Sequence, residues 1–505
     1  MSLDNRKQQY IPCHQGEKLR IAVIYQVASF WPSIESFYDE CVSDIEVEIR
    51  IFFIGGVSVE KAQIQGSDIF LQERGIPYVD YSEKVISDYM PHVALYQVPY
   101  DVGYRNPDAL AIHLKRMGIR IAYIPYGIEI ADTEDARLQH FHTFVINNAW
   151  RIYTFSERMR EDYMHYCPNR HAVRAFGLPK FDAIARRESV VSEEVRRTAG
   201  GRRVILWKLH FPKLIYEGNN RKQVTPQLEE YRKFAEQIEQ YQEAFFVVMP
   251  HPMFFSETID PYLGAEGRKL LELLETRKNV SIDRSQDYRT ALYSADAIII
   301  DRSAVMVEAG FLDVPVLYMK NRDYEEPLTR AVKMLVDSYE QGTACEDMCR
   351  FVEMLDQTGT AIVHRIKEAR QAAVPYEIGK SGKLILEDMK ESVRQEHDNK
   401  IKIAFFSASF TCEHYINELE IRSNADFEIV CLSDNDEQKW GTRRAGYEVI
   451  APEELIYQEL DLIVVTSEHY YVPMKKQLVY ELNLAEDKII PLDLFAEEYV
   501  QRYYS

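Results

Sequence analysis

Three apolar runs in the middle of the chain each end on residues able to handle protons or phosphate. Val204-Ile205-Leu206-Trp207 is followed by Lys208 and His210. Phe245-Phe246-Val247-Val248-Met249 is followed by Pro250, His251 and Pro252. Ala297-Ile298-Ile299-Ile300 is followed by Asp301, Arg302 and Ser303. Short runs that are apolar throughout read as buried parallel strands. In open parallel sheets, ligands bind beyond the carboxyl ends of the strands. Three strands therefore aim two histidines, cations and a hydroxyl at one edge. Histidine titrates near neutral pH, so His210 and His251 are acid–base candidates.

The stretch from Asp301 to Pro315 is the most specific of these. A strand ends at Asp301, and the spacing predicts a helix from Ser303, with the small Ala304 beside it. Free N–H groups at a helix start favour an anion. Ser303 adds a hydroxyl and Arg302 a full charge. Glu308 lies five residues on, about 7.5 Å along a helix axis. That spacing would set a carboxylate against a ribose while a diphosphate sits at the helix end. Any α/β unit with an N-capping serine and a surface glutamate would show part of the same pattern.

The elements that must position these groups alternate. Strand-like runs over 19–27, 47–55, 92–101 and 120–127, separated by amphipathic stretches, predict a doubly wound Rossmann-like domain over 18–165. A second series, with strands over 202–211, 244–252, 279–284, 296–301 and 314–319, predicts another over 166–375. Residues 376–399 read as a helix and a polar linker. Runs at 400–409, 427–434, 461–468 and 488–495 predict a third, smaller Rossmann-like domain over 400–505. The fold class is α/β.

Composition narrows the function. Eighty acidic against 60 basic residues give a net charge of −20, the wrong sign for a nucleic-acid binder. No apolar run is long enough to span a bilayer, and the polar start MSLDNRKQQY carries no signal core, so a cytoplasmic location is expected. The seven cysteines are odd in number and scattered, which argues against a disulfide framework. Cys345 and Cys349 lack a second pair for zinc, and His140 and His142, at i and i+2, do not share a helix face. No metal site is expected. The basic residues Arg202, Arg203, Lys208, Lys213, Arg221 and Lys222 could meet phosphates or simply be solvated. Tyr96, Tyr100, Tyr123 and Tyr126 could stack on sugars or sit half-buried as ordinary aromatics.

Gly177-Leu178-Pro179-Lys180-Phe181-Asp182, then ILWKLHF, MPHP and DRSAVMVEAGFLDVPVLYM, in this order, resemble the CDP-glycerol glycerophosphotransferases. Gln97-Val98-Pro99-Tyr100-Asp101 and Ile124-Pro125-Tyr126-Gly127 look like segments of one branch of that family. The resemblance covers roughly 18–375. It implies a GT-B fold, two Rossmann-like domains facing across a cleft. It also implies transfer of glycerol phosphate, or a related polyol phosphate, from a CDP-linked donor to an acceptor hydroxyl, releasing CMP. The acceptor would be a cell-surface polymer or lipid-linked chain of the teichoic-acid or capsule type, met at the inner face of the membrane. No cofactor would be required. Carried over residue by residue, the donor side would comprise Gly177, Lys180, Asp301, Arg302, Ser303, Ala304 and Glu308. The acceptor side would comprise Gln97, Tyr100, Asp101 and Gly127, and the catalytic groups His210, His251 and Tyr126.

One departure bears on the chemistry. Better-known members carry a His-Gly pair where this chain has Tyr126-Gly127, and an ordinary tyrosine, titrating near 10, is a poor base at neutral pH. His210 could take the proton instead. The same helix start would also serve a glycosyltransferase or epimerase using a nucleotide-diphosphate sugar, or a non-catalytic nucleotide- or sugar-binding scaffold. The third unit resembles domains appended to sugar-modifying and capsule enzymes through Asp434-Asn435-Asp436, Gly441 and the Val449–Leu455 stretch. Its first loop, FSASFTCEH, lacks G-x-G-x-x-G, so it is expected to pack or recruit rather than hold a dinucleotide. Oligomeric state has no signature in the sequence.

Overall fold

The computed structural model describes residues 10–14, 16–55, 64–101, 103–185, 192–217, 220–255, 261–285, 287–374, 379–395, 401–418 and 427–496. Its first sheet contains β1 (Leu19–Tyr25), β2 (Val47–Phe53), β3 (Tyr78–Asp80), β4 (Val93–Tyr96), β5 (Arg120–Tyr123), β6 (Arg151–Thr154) and β7 (Val173–Ala175). The order is β3-β2-β1-β4-β5-β6-β7, and each pair is parallel. β1 lies inside the sheet between β2 and β4 and is buried almost throughout, which is why LRIAVIY is largely apolar. The sheet runs past residue 165, where the sequence ends the first unit, because the three-residue β7 pairs with β6. A strand that short carries no readable alternation.

The second sheet holds β8 (Arg203–Leu209), β11 (Ala244–Pro250), β12 (Val280–Ile282), β13 (Ala297–Ile300), β14 (Val316–Met319) and β15 (Glu340–Gly342). Its order is β12-β11-β8-β13-β14-β15, again parallel. After β8 the chain forms an antiparallel hairpin of β9 (Leu214–Glu217) and β10 (Asn220–Gln223). The third sheet has β16 (Ile401–Phe406), β17 (Phe427–Ser433), β18 (Arg443–Arg444), β19 (Tyr447–Ile450), β20 (Leu462–Val465) and β21 (Ile489–Pro491), in the order β18-β19-β17-β16-β20-β21. Only β18 runs antiparallel to its neighbour.

One hydrophobic cluster joins the first two sheets, whereas the third has its own clusters on its two faces. The third unit meets the first through Arg170, which donates to the carbonyls of Leu482 (3.3 Å) and Asn483 (3.0 Å).

After the 29-residue helix Cys345–Ala373, the chain returns to the first lobe as the helix Ser381–Gln395, which packs along the helix Glu35–Ser43. Asp182 pins the return. Its buried carboxylate accepts the Ser36 hydroxyl (2.7 Å) and the N–H groups of Gly379, Ser381 and Gly382 (3.0, 3.1 and 2.9 Å). A Cβ on Gly382 would lie 2.5 Å from the backbone N of Phe37, too close for either helix to yield cheaply. Gly382→Ala is expected to destabilise the protein by about 1–3 kcal/mol, as overpacking does. A lowered urea midpoint would show it; an unchanged midpoint would mean the helices slide apart freely.

Candidate functional site

The two large sheets place their reversal points opposite each other. In the first sheet the order reverses between β1 and β4, and the loops after them carry Gln26–Phe30 and Val98–Tyr104. In the second it reverses between β8 and β13, and the following turns carry His210–Lys213 and Arg302–Val305. These segments line one cavity of about 750 Å³. The lobes come close at Gly127, where an added Cβ would lie 3.6 Å from the Ala304 Cβ. The turn at Arg302–Ala304 faces the gap between the lobes.

His210 and His251 come together from neighbouring strand ends, because β8 and β11 pair in register to Leu209 and Pro250. The His251 N–H donates to the Leu209 carbonyl (2.7 Å), and the ring centroids are 4.9 Å apart. Their tautomers differ. Nδ1 of His210 lies 2.8 Å from the Phe211 carbonyl oxygen, which can only accept, so the proton sits on Nδ1 and Nε2 keeps a lone pair. Nδ1 of His251 accepts the Met253 N–H at 3.1 Å, so the neutral ring carries its proton on Nε2. One ring is set to accept a proton and the other to donate a hydrogen bond. Burial, and then the neighbouring histidine and Arg302, hold His210 well below the usual imidazole range. Burial, then Lys208 and Arg302, do the same to His251. Both rings should remain neutral at pH 6 in a heteronuclear NMR titration of the imidazoles. A midpoint at or above 6.5 for either would contradict this environment.

Asp301 does not line the cavity. It is fully buried behind it, where its carboxylate accepts the His210 N–H (2.9 and 3.2 Å) and the Tyr231 hydroxyl (3.0 Å). Burial pushes its pKa up and lowers that of the buried Lys208 beside it. Asp301 therefore holds the backbone of His210 rather than touching a donor, which corrects its assignment from the sequence.

Two further donor-side expectations are revised. Arg302 is not a free charge: it forms a forked pair with Glu326, with Nη2 to Oε1 at 3.1 Å and a second contact through Nε. Glu308 borders the cavity, but its carboxylate is already paired. It is completely buried, with Oε1 2.8 Å from Lys180 Nζ and Oε2 accepting the Tyr288 hydroxyl at 2.8 Å. Lys180 also donates to the Tyr126 carbonyl (3.0 Å) and so ties the lobes together. The predicted helix is short, Val305–Ala309, and the Ser303 hydroxyl accepts the Val305 N–H at 3.3 Å. Gly177 has φ of 80°, the left-handed conformation that favours glycine, and serves the turn before the helix Pro179–Ala185 rather than the cavity wall.

On the first lobe, Tyr100, Tyr126 and Gly127 line the cavity, whereas Gln97 and Asp101 do not. Gln97 is buried and donates to the Phe30 carbonyl (2.7 Å) and Ser33 hydroxyl (2.8 Å). Asp101 is buried against Arg105 (2.6 Å) and the Ala111 N–H (2.9 Å). Both shape the loop that presents Tyr100. Tyr126 stacks on Phe30, centroids 4.0 Å apart and planes 25° from parallel.

The basic cluster disperses. Lys208 and Lys213 line the cavity, while Arg202 covers Phe245, Arg203 pairs with Asp356 and Lys222 lies over Tyr324. The Arg221 side chain lies outside the described residues. His140, dismissed with His142 as a metal ligand, lines the cavity near Arg302 and Lys213, and burial with those charges lowers its pKa to about 4. Sequence reasoning missed Glu326 and an alternating ring across the lobes. In that ring Arg74 meets Glu35 (3.1 Å) and Asp287 (2.6 Å), and Arg289 pairs with the same two carboxylates. Two of these pairs, Arg74–Asp287 and Arg289–Glu35, are 213 and 254 residues apart in the chain and leave no local signal.

Two Rossmann-like domains facing across a cleft define the GT-B fold, and this chain has it. Solved structures agree. S. aureus MnaA with UDP matches with a TM-score of 0.52 and 14% identity, over 74% of this chain and 96% of that one. The Neisseria meningitidis UDP-GlcNAc 2-epimerase bound to UDP-GlcNAc matches with a TM-score of 0.51 and 14% identity, over 74% and 100%. The wall teichoic acid polymerase TagF matches with a TM-score of 0.49 and 11% identity, over 78% and 92%, a likeness too slight to bear on chemistry. Residues 399–490 match the family described as C2185-like, N-terminal. No curated protein matches the chain. Among the described residues, no helix is long and apolar enough to cross a membrane.

Proposed function

We propose that the protein is a transferase that moves glycerol phosphate, or a related polyol phosphate, from a CDP-linked donor to a hydroxyl of a cell-surface polymer or lipid-linked acceptor. The observation that carries this reading is the His210–His251 pair, held neutral in opposite tautomers at the cleft beside Lys208, Lys213 and Arg302. The acceptor hydroxyl attacks the phosphorus bearing the polyol. The acceptor O–P bond forms as the P–O bond to CMP breaks, and the proton passes to Nε2 of His210. CMP leaves with the bonding electron pair, its charge offset by the cations of the second lobe. His251 Nε2–H donates to a phosphoryl oxygen. Catalysis of this kind rests on positioning and on neutralising oxygen charge. Tyr126, stacked on Phe30, positions substrate and leaves the base role to His210. The resemblance of the 177–182, 205–211, 249–252 and 301–319 segments supports the cytidine donor.

A second reading comes from the solved structures whose names carry UDP or UDP-GlcNAc: the same cleft would take a uridine diphosphate sugar. Thermal-shift measurements with CDP-glycerol, CMP, UDP and UDP-sugars separate the two. Stabilisation by the cytidine ligands is expected. Preference for uridine would favour the second reading, and no shift with any nucleotide would overturn both. Donor binding without turnover on any acceptor would mark a binding scaffold.

A further inference from the structure

We infer that Cys345 and Cys349 form a reversible dithiol site whose co-reactant is a low-molecular-weight disulfide such as oxidised glutathione. The pair closes to a disulfide inside the helix Cys345–Ala373, and excess thiol reopens it. The inference stands apart from the cleft and holds whichever donor the cleft takes.

The two thiols lie on consecutive turns of the helix, with their Sγ atoms 3.9 Å apart. Exposure assigns their roles. Of the seven cysteines only Cys349 is partly open to solvent, whereas Cys345 is 2% exposed. An incoming disulfide therefore meets the Cys349 sulfur first. Burial, and then the neighbouring Cys349, push the Cys345 thiol up to about 12, which keeps it out of that first attack. Once Cys349 is capped, its charge no longer opposes ionisation of Cys345. The Gln237 amide, which donates to the Cys345 sulfur at 3.0 Å, then favours the thiolate.

The exchange balances without a further oxidant. The Cys349 thiolate attacks one sulfur of oxidised glutathione, the S–S bond of the reagent breaks, and one glutathione leaves as its thiolate. The Cys345 thiolate then attacks the Cys349 sulfur, and the second glutathione leaves with the bonding electron pair. The two protons lost by the cysteines pass to the two leaving thiolates. The cysteines give up two electrons and the glutathione disulfide takes them.

Helix geometry sets how firmly the bond holds. Residues four apart on a helix have Cβ atoms about 5–6 Å apart, whereas a disulfide needs about 3.8 Å. The first turn must tighten. Cys345 is the first residue of its helix, and its N–H donates outside the helix to Glu230 Oε2 at 3.0 Å, so tightening there breaks no intrahelical N–H bond. The strain that remains makes the disulfide easy to reduce, as labile rather than structural disulfides are.

The test equilibrates the full-length protein with mixtures of reduced and oxidised glutathione, alkylates it under denaturing conditions, digests it and reads the peptides by mass spectrometry. Both cysteines fall in one tryptic stretch, 334–350. That stretch should lose both alkylation sites together as oxidised glutathione rises, and weigh two hydrogen atoms less than its reduced, unalkylated form. Excess reduced glutathione should restore both sites. The remaining cysteines, all buried, should stay open to alkylation throughout. Cys345→Ser should trap glutathione on Cys349, and Cys349→Ser should leave Cys345 unmodified. A glutathione adduct that persists on Cys349 of the natural protein would overturn the pairing. So would a 334–350 stretch that keeps both alkylation sites in the most oxidising mixture. Both of these outcomes are read on the natural protein, so the test does not depend on the folding of either variant.

Discussion

Replacing His210 by alanine is expected to lower kcat by about 10²–10⁴-fold, the usual contribution of a positioned general base. The donor KM should move little, because, among the described residues, the cations at the cavity wall not already paired with a carboxylate there are Lys208 and Lys213. The size of the effect follows from the preset tautomer. The Phe211 carbonyl fixes the proton on Nδ1 and leaves Nε2 as an acceptor on a ring that lines the cavity. Because burial keeps the ring neutral, the base form persists into mildly acidic solution, and the acid limb of kcat/KM should lie below pH 6.5. His251→Ala should cost about tenfold or more, since it removes a hydrogen-bond donor rather than the base. A His210→Ala enzyme within threefold of the natural rate would take the base role away from this residue. Tyr126→Phe, which preserves the stack on Phe30, should by contrast retain most activity.

The second large effect concerns stability. Lys180 and Glu308 form an ion pair whose side chains are 4% and 0% exposed, 2.8 Å apart, with one partner at the lobe junction and the other in the second lobe. Lys180→Met would strand the Glu308 carboxylate in a site with only the Tyr288 hydroxyl to serve it. Removing one member of a buried pair typically costs about 3–5 kcal/mol. The urea midpoint should fall accordingly, and the junction at the Tyr126 carbonyl should loosen with it. The double change Lys180→Met with Glu308→Gln removes both charges and should recover much of the loss. A single variant that loses less than about 1 kcal/mol would mean that water already reaches the pair.

The strand ends were legible because parallel strands covered on both faces are apolar throughout, so the first polar residue marks the carboxyl edge. That rule found Lys208, His210, His251, Arg302 and Ser303, all of which line the cleft. It could not tell which side of the edge a side chain takes. Asp301 follows the same apolar run as Ser303, yet it turns inward to hold the His210 N–H, and Gln97 and Asp101 turn inward in the same way on the first lobe. Charge alone also misleads about availability: Arg302 and Glu308 look like ligand groups in sequence, but Glu326 and Lys180 already occupy them. Phe30 was within reach, since it closes the loop after β1 as Tyr126 closes the one after β5. Short strands such as β3, β7 and β15 offer three residues each, too few for a period of two to show.

The central claim is that a pyrophosphoryl group docks at the turn out of β13, between the two histidine-bearing strand ends and the aromatic wall opposite. A crystal structure of the complex with CDP-glycerol tests it most directly. The account predicts the diphosphate beside Ser303 and Ala304, cytidine against the second lobe, and the polyol phosphorus within reach of His210. Cytidine and diphosphate bound anywhere outside this cleft, or a cleft left empty at saturating ligand, would contradict it.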